Sequence, residues 1–291
     1  MYRTEKKVSK CEVCDTIDNL LVCGACRLSY YCGRDHQKSD WDNHQQICKQ
    51  RTEQSWSDLN FENVLKDTSL NKHCEKSSKL TEYIVECMNK YGICVLDNFF
   101  CEPRAGDILN EVKSLRSQGA FTDGQLVSQP ATTGKVRGDQ ILWLEKNDKH
   151  PYITSFIERL DSIVMDCAKK LKQYQIGGRT KAMIACYPGN GTGYMRHIDN
   201  PNEDGRCLTT IYYLNKNWNT QTDGGLLRIF PEVFNQVADI EPKFDRLLFF
   251  WSDRRMPHEV LPTYKERYAI TVWYFDTEER ARAIRRVQNT T

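Results

Sequence analysis

Two histidines and an aspartate in this chain have the spacing of an iron(II) site. His197 and Asp199 are separated by one residue, and the next histidine is His258. Residues two apart on an extended strand face the same side, so His197 and Asp199 can bind one ion while a distant strand supplies His258. Two imidazoles and one carboxylate leave coordination positions open, as in non-haem iron(II) oxygenases. The spacing therefore predicts an iron site that also binds a co-substrate and O2.

The strands after this motif offer groups that could bind a 2-oxoglutarate co-substrate. Such a molecule would hold iron through its 2-oxo end and leave its other carboxylate deep in the protein, where it needs a cation. Arg267 opens the segment RYAITVWYF, and its planar fork can bind a carboxylate through two hydrogen bonds. Tyr213 faces the same side of its strand as Thr209 and is a second candidate donor, and Tyr187 is a third. Ordinary core packing explains either tyrosine equally well.

The His-x-Asp pattern alone is weak support for a metal site, because a structural histidine is common. The combination is stronger. His-x-Asp follows a glycine-rich turn, the distant histidine lies within RMPHEV, and the arginine opens the next strand. Together these features favour an iron site over coincidence.

Eight potential zinc ligands form four pairs near the start of the chain. Eight ligands are enough for two tetrahedral sites, each closed by four donors and therefore structural. A segment of about 40 residues buries too little apolar surface to fold alone, so zinc should supply its folding free energy. The pairs are Cys11 and Cys14, Cys23 and Cys26, Cys32 and His36, and His44 and Cys48.

Composition limits the class of protein. The 41 basic and 39 acidic residues nearly balance, so charge gives no argument for nucleic acid or a membrane surface as partner. No apolar run approaches the roughly 20 residues that span a bilayer, and the start, MYRTEKKVSK, has no hydrophobic signal segment. Six of the 13 cysteines belong to the predicted zinc sites and the others are scattered, which favours a reducing compartment. We expect a soluble protein of the cytoplasm, the nucleus or both.

The elements that must position these residues divide the chain in three. Residues 1–49 form the zinc unit, residues 50–78 are polar and irregular and predict a linker, and residues 79–291 form the catalytic domain. In that domain, helical periodicity predicts three helices, at about 80–91, 103–117 and 151–173. The strands that follow are short and separated by turns: AMIACY, CLTTIYYL, GLLRIF, RLLFFW and YAITVWYF. Helices followed by many strands predict an α+β fold, best matched by a double-stranded β-helix, or jelly roll.

The segments that carry the site residues closely resemble the catalytic domain of the hypoxia-inducible-factor prolyl hydroxylases, the EGLN family. They are KAMIACYPGNGTGYMRHIDNPNEDGRCLTTIYYLN, GGLLRIFPE and ADIEPKFDRLLFFWSDRRMPHEVLPTYKERYAITVWYFD. The upstream segments YGICVLDNF, FTDGQLVSQ and VRGDQILWLE are similar to that family too. With the N-terminal unit, the resemblance covers about 10–49 and 78–288.

The N-terminal unit resembles the MYND-type zinc finger, which precedes this catalytic domain in the longer animal members of the family. Tyr30 and Tyr31 stand before Cys32, and Trp41 stands before His44, as in such fingers. The resemblance implies interleaved pairs. One zinc would be held by Cys11, Cys14, Cys32 and His36, and the other by Cys23, Cys26, His44 and Cys48. Many MYND fingers have cysteine at the position of His36, but imidazole is an equally good zinc ligand.

The EGLN resemblance implies Fe(II), 2-oxoglutarate and O2, with ascorbate as supporting reductant. It places iron on the three residues His197, Asp199 and His258, and the far carboxylate of 2-oxoglutarate on Arg267 and Tyr213. Tyr187 would lie nearby, and Thr271 would hold an active-site water. The segment from Leu126 to Asp139 resembles a loop that closes over the peptide substrate, and its end would be fixed by Arg137 and Asp139.

The implied activity is 4-hydroxylation of a prolyl residue in the α subunit of a hypoxia-inducible transcription factor, coupled to conversion of 2-oxoglutarate to succinate. The expected substrate is an LxxLAP-type peptide. Because O2 is consumed, the activity can report oxygen level. The finger is expected to bind a short peptide containing proline and leucine. Hydroxylation of another protein, such as a ribosomal protein, is the main alternative. A cupin of different activity, or a non-enzymatic protein that works through its finger, fits the residues less well.

Overall fold

The computed structural model describes residues 10–18, 20–23, 29–53, 77–124, 137–147, 149–232 and 237–288. Three predictions therefore lie partly or wholly outside the described residues. They concern Cys26, residues 54–76 of the linker, and residues 126–136 of the substrate loop.

The described side chains of the N-terminal unit form very little apolar core. Its buried cluster contains three predicted zinc ligands and one aromatic residue: Cys11, Cys23, Cys48 and Tyr31. Metal ligands rather than hydrophobic side chains thus fill its centre, as expected for a unit stabilised by zinc. The second helix continues past residue 49, where the finger was predicted to end. The elements are β1 Leu21–Val22, β2 Tyr30–Tyr31, α1 Arg34–Ser39 and α2 Trp41–Glu53.

Three amphipathic helices begin the catalytic domain, close to their predicted positions. They are α3 Ser77–Tyr91, α4 Glu102–Ser117 and α5 Pro151–Ala168. The prediction that the third helix extends to residue 173 is wrong. The amides of Lys170 and Leu171 both donate to the Cys167 carbonyl, so the chain turns there, and Leu171 still packs in the core. Leu171 preserves the apolar periodicity although the helix has ended.

The rest of the domain is almost entirely β-structure, in two antiparallel sheets. The elements are β3 Ile93–Leu96, β4 Thr122–Asp123, β5 Gln140–Leu144, β6 Ile176–Arg179, β7 Ala182–Tyr187, β8 Thr192–His197, β9 Arg206–Tyr213, α6 Thr220–Asp223, β10 Leu227–Ile229, β11 Ala238–Ile240, β12 Arg246–Trp251, β13 His258–Thr263, β14 Arg267–Asp276 and α7 Thr277–Gln288. The large sheet has the order β3-β12-β9-β14-β7-β5-β4, with β6 also paired to β14, and the small sheet has the order β11-β10-β13-β8.

The two faces of the large sheet have different partners, and neighbouring tyrosines show the division. Tyr212 stacks on Phe156 of α5, with ring centroids 4.8 Å apart, so its face is covered by helices. Side chains alternate along a strand, so Tyr213 points to the opposite face. There Phe250 of β12 contacts the ring of His258 in the small sheet, at 4.8 Å between centroids. The domain is therefore the predicted α+β jelly roll, with helices on one outer face. None of the described helices is long and apolar enough to cross a bilayer.

Candidate active site

The structure brings His197, Asp199 and His258 together between the two sheets. His197 ends β8 and His258 begins β13, and the two residues are partners in the antiparallel register. Nε2 of His197 lies 3.7 Å from Oδ1 of Asp199, and Nε2 of His258 lies 3.8 Å from Oδ2. The potential ligand atoms of all three residues lie within 4.8 Å of one another. Three donors on one side of a common point can hold one metal ion with open positions.

The reason for the alignment of His197 and Asp199 differs from the prediction. We expected both to lie on one extended strand, but β8 ends at His197 and Asp199 lies in the bend that follows. The amide of Asn200 donates to the Ser252 carbonyl at 2.9 Å. This bond fixes the bend against the end of β12, and the carboxylate is directed to the metal site by the turn rather than by strand alternation.

Both imidazoles present their Nε2 atoms to the site because Nδ1 is occupied elsewhere. Nδ1 of His197 lies 2.8 Å from the Met195 carbonyl, and Nδ1 of His258 lies 2.9 Å from the Met256 carbonyl. A carbonyl only accepts, so each Nδ1 carries a proton, which leaves Nε2 as the nitrogen of each ring that can bind a metal. Burial, followed by the nearby His258, lowers the pKa of His197 to about 4. His197 is thus neutral at physiological pH, as a metal ligand must be.

The Asp199 carboxylate is buried and remains ionised. Burial acts to raise the pKa of Asp199, but the two histidines and the Thr209 hydroxyl outweigh it and hold the pKa below its usual range. Thr209 Oγ1 donates to Oδ2 of Asp199 at 2.7 Å, and the hydroxyls of Thr209 and Ser252 lie 2.8 Å apart. Thr209 and Ser252 were not predicted as site residues.

Arg267 and Tyr213 form a second polar group on the inner face of the large sheet. Arg267 is 2% exposed, and its Nε donates to the Gly225 carbonyl at 3.0 Å. Within the described part of the chain, no carboxylate lies within ion-pair distance of its guanidinium. The buried Tyr213 hydroxyl has no hydrogen-bond partner among the described residues. Burial raises the pKa of Tyr213, so the hydroxyl keeps its proton and can donate.

The other predicted co-substrate residues lie on the same face. The Arg267 guanidinium carbon is 5.2 Å from the ring centroid of Tyr187 and 5.1 Å from that of Tyr213, so two aromatic rings flank the cation. Tyr187 is the register partner of Arg267 on β7. Thr271 is buried four residues further along β14 and points to the same side.

The two predicted substrate-loop residues form an ion pair with two parallel hydrogen bonds. Arg137 donates to both oxygens of Asp139, at 2.7 and 2.6 Å. The guanidinium carbon of Arg137 lies 4.8 Å from the Tyr194 ring centroid, and that ring stacks on His197 at 3.7 Å between centroids. The end of the loop is therefore linked to a metal-site residue through Tyr194, which was not predicted.

The donors fit the groups that the sequence implies. Two imidazoles that present Nε2 and an ionised carboxylate suit Fe(II). Among the described residues, the buried arginine has no carboxylate partner and the buried hydroxyl has no acceptor, and both suit the far carboxylate of 2-oxoglutarate, because an unpaired buried charge or donor is costly. A 2-oxoglutarate carboxylate would satisfy both groups.

In the finger, the potential ligands gather in two groups as interleaved pairs require. One group is Cys11, Cys14, Cys32 and His36, and the other contains Cys23, His44 and Cys48. Burial acts to raise the pKa of Cys11, but backbone amides and His36 outweigh it and lower the pKa to about 6. The thiolate that zinc requires is therefore readily formed at Cys11.

Comparisons with known proteins match two separate segments of the chain. Residues 182–275 match the model of the 2OG-Fe(II) oxygenase superfamily, and residues 10–48 match that of the MYND finger. Mouse Egl nine homolog 1 is 42% identical over 96% of this chain and 91% of its own length. Human Egl nine homolog 1 is 61% identical over 69% of this chain, which spans 48% of the human protein. A prolyl hydroxylase of Trichoplax adhaerens, solved with a hypoxia-inducible factor oxygen degradation domain peptide, is 47% identical, with a TM-score of 0.68 over 71% of this chain and 94% of that one.

Proposed function

The chain belongs to the Egl nine (EGLN) family of 2-oxoglutarate-dependent prolyl hydroxylases, and we propose that it hydroxylates a proline in a hypoxia-inducible transcription factor α subunit. Bound Fe(II) supplies the oxidation by which 2-oxoglutarate and O2 yield succinate and CO2 while a prolyl C–H becomes C–OH. Ascorbate supports the iron(II) state. Because O2 is a co-substrate, the rate follows oxygen level and the protein acts as an oxygen sensor.

The side chains divide the work of binding. His197, Asp199 and His258 hold the metal, with the histidine protons directed away from it. Arg267 and Tyr213 bind the far carboxylate of 2-oxoglutarate, and their burial strengthens the attraction by excluding water.

The peptide substrate enters on the His197 side of the site. The His197 side chain is 21% exposed, against 7% for Asp199 and 5% for His258. Arg137 and Tyr194 adjoin this opening, so their side chains are placed to contact a bound peptide.

One observation carries the proposal. The inner face of the large sheet holds both a residue that donates a hydrogen bond to the metal-site carboxylate and a buried cation that has no carboxylate partner among the described residues. A metal site alone would suit many cupins. An enzyme with an acidic co-substrate needs, in addition, a buried cation such as Arg267 beside the metal.

A peptide oxidation assay tests the proposal. The full chain is incubated in air with Fe(II), 2-oxoglutarate, ascorbate and an LxxLAP peptide, and mass spectrometry follows the peptide. We expect the proline to gain one oxygen atom with matching release of succinate. The same peptide with alanine in place of that proline should be unchanged, and His197→Ala should abolish both products. Succinate release without peptide oxidation would assign the substrate to another protein.

The finger and the compartment complete the proposal. The finger binds a short peptide containing proline and leucine, which is supported by the exposed Trp41 beside His44, with ring centroids 5.9 Å apart.

The protein works in the cytoplasm, the nucleus or both. In support, none of the cysteines among the described residues forms a disulfide, as in a reducing compartment.

A further inference from the structure

Two hydroxyl groups, of Thr209 and Ser252, lie behind the Asp199 carboxylate. Thr209 is on β9 and Ser252 follows the end of β12, and the two side chains are 0% and 1% exposed. Neither hydroxyl reaches solvent, so each must be satisfied by a protein partner. Oγ1 of Thr209 lies 2.7 Å from Oδ2 of Asp199 and 2.8 Å from Oγ of Ser252.

The direction of these hydrogen bonds follows from the chemistry of the acceptor. An ionised carboxylate only accepts, so the Thr209 proton points to Asp199. The Thr209 oxygen is then free to accept the Ser252 proton. The result is a chain of two hydrogen bonds, in which Ser252 donates to Thr209 and Thr209 donates to Oδ2 of Asp199. In a buried setting such consecutive hydrogen bonds polarise one another.

The backbone of Ser252 holds the same bend. Its carbonyl accepts from the Asn200 amide, and its own amide donates to the Cys207 carbonyl, each at 2.9 Å. Ser252 thus makes two contacts that position Asp199. Its backbone carbonyl holds Asn200, which follows Asp199, and its hydroxyl contacts the Thr209 hydroxyl, which donates to Asp199. The bend has no strand pairing, so these bonds, together with those of the Asn200 side chain to Arg206 and Glu279, hold it in place.

We propose that Thr209 and Ser252 are positioning residues that make Asp199 bind the metal through one oxygen. Thr209 occupies one lone pair of Oδ2, whereas Oδ1 lies 3.7 Å from Nε2 of His197, so the hydrogen bond favours Oδ1 as the oxygen that binds the ion. Binding through both oxygens would occupy a further coordination position that the co-substrates need. This inference rests on the proposed iron site and adds the residues that set its geometry.

Metal affinity tests the inference without relying on turnover. Mn(II) serves as a redox-stable probe, and free Mn(II) is measured by electron paramagnetic resonance in titrations of the zinc-loaded full chain. Thr209→Val keeps the shape and removes the hydroxyl, and should weaken Mn(II) binding about 10- to 100-fold, as loss of an orienting partner does. Thr209→Ser restores the hydroxyl and should restore the affinity. Ser252→Ala should show a smaller loss.

Thr210→Val is the matched control for a merely structural effect. Thr210 is equally buried, and its hydroxyl donates to the Val272 carbonyl at 3.0 Å on the opposite face of the strand. It should lower thermal stability but leave Mn(II) affinity unchanged. The inference is overturned if Thr209→Val binds Mn(II) like the wild type, or if Thr210→Val weakens binding equally. A wild-type chain that binds no more Mn(II) than His197→Ala would overturn the iron site itself, and this inference with it.

Discussion

Arg267 already donates one of its hydrogen bonds to the protein, which leaves its terminal nitrogens for a ligand. Nε bonds the Gly225 carbonyl, so Arg267→Lys should lose that anchor and one of two parallel bonds to the 2-oxoglutarate carboxylate. A hydrogen bond to a charged group contributes about 1.5–3 kcal/mol, which corresponds to roughly 10- to 150-fold in affinity. Calorimetric titration with 2-oxoglutarate measures the loss, and Mn(II) binding should be unchanged.

The control for Arg267→Lys is the same substitution at an arginine that pairs with a carboxylate on the protein surface. Arg228 donates to both oxygens of Asp239, at 2.7 Å each, and both side chains are about one-third exposed. Arg228→Lys should leave 2-oxoglutarate affinity at the wild-type value. A 2-oxoglutarate affinity of Arg267→Lys equal to that of the wild type would place the co-substrate pocket elsewhere.

Adjacent tyrosines should respond in opposite ways to loss of the hydroxyl. The Tyr213 hydroxyl has no partner among the described residues, so Tyr213→Phe should keep or raise thermal stability while it weakens 2-oxoglutarate binding. The Tyr212 hydroxyl donates to Asp245 at 2.6 Å on the helix side. Tyr212→Phe should therefore destabilise the fold by about 1–3 kcal/mol and leave 2-oxoglutarate affinity unchanged. Thermal melts measure the stability of both variants, and calorimetry measures their 2-oxoglutarate affinity. A large stability loss in Tyr213→Phe would contradict the role of this hydroxyl in co-substrate binding.

Side-chain alternation made much of the site predictable, and contacts between distant strands made the rest unpredictable. Tyr213 and Thr209 could be placed on one face because they lie on one strand. The roles of Ser252 and Tyr194 could not be predicted, since each depends on packing against a residue elsewhere in the chain. Asp199 lies beside the two histidines as expected, but on a bend rather than on the strand that ends at His197, because local spacing does not reveal where a strand ends.

Strands β8 and β13 must approach closely for His197 and His258 to meet. A Cβ atom at Gly193 would collide with the carbonyl oxygen of Val260 on the facing strand. Gly193→Ala should therefore push the strands apart, at a cost of about 1–3 kcal/mol of stability, and weaken Mn(II) binding. Chemical denaturation and metal titration measure the two effects.

Gly106 supplies the matched control for Gly193→Ala. It lies within α4, where a Cβ atom would have its nearest neighbour at 3.8 Å, an ordinary contact. Gly106→Ala should stabilise the helix by about 0.5–1 kcal/mol without any change in metal affinity. Equal metal affinity in Gly193→Ala would show that the strand spacing does not control the site.

The finger should depend on its ligands for its fold. Cys23→Ser or Cys48→Ser removes a buried thiolate from a unit with almost no other core, so we expect the finger to unfold. Elemental analysis should show zinc content falling from the predicted two ions per chain. Cys101→Ser, at an exposed thiol outside both clusters, is the control. Unchanged zinc content in the Cys23 and Cys48 variants would refute the ligand assignment.

At the scale of the whole molecule, the two units should be separable in turnover. All proposed active-site residues lie between Arg137 and Thr271, and α3 begins at Ser77, two residues before the predicted boundary. A fragment of residues 77–291 should fold, bind 2-oxoglutarate and hydroxylate the peptide at the rate of the full chain. Circular dichroism, calorimetry and the peptide assay test each step. A folded fragment that binds 2-oxoglutarate but does not hydroxylate would make the finger part of the active site.

The pairing of β3 with β12 sets the order of events during synthesis. Cys94 is the register partner of Phe249, so the first strand of the domain cannot pair until the ribosome has made β12. Loop closure over such a distance is slow compared with helix formation. Helices α3 to α5 can form early, whereas His197 and His258 can meet only after β13 has been made. A nascent chain that ends before His258 therefore lacks one of the three proposed iron ligands and has no complete site for the metal.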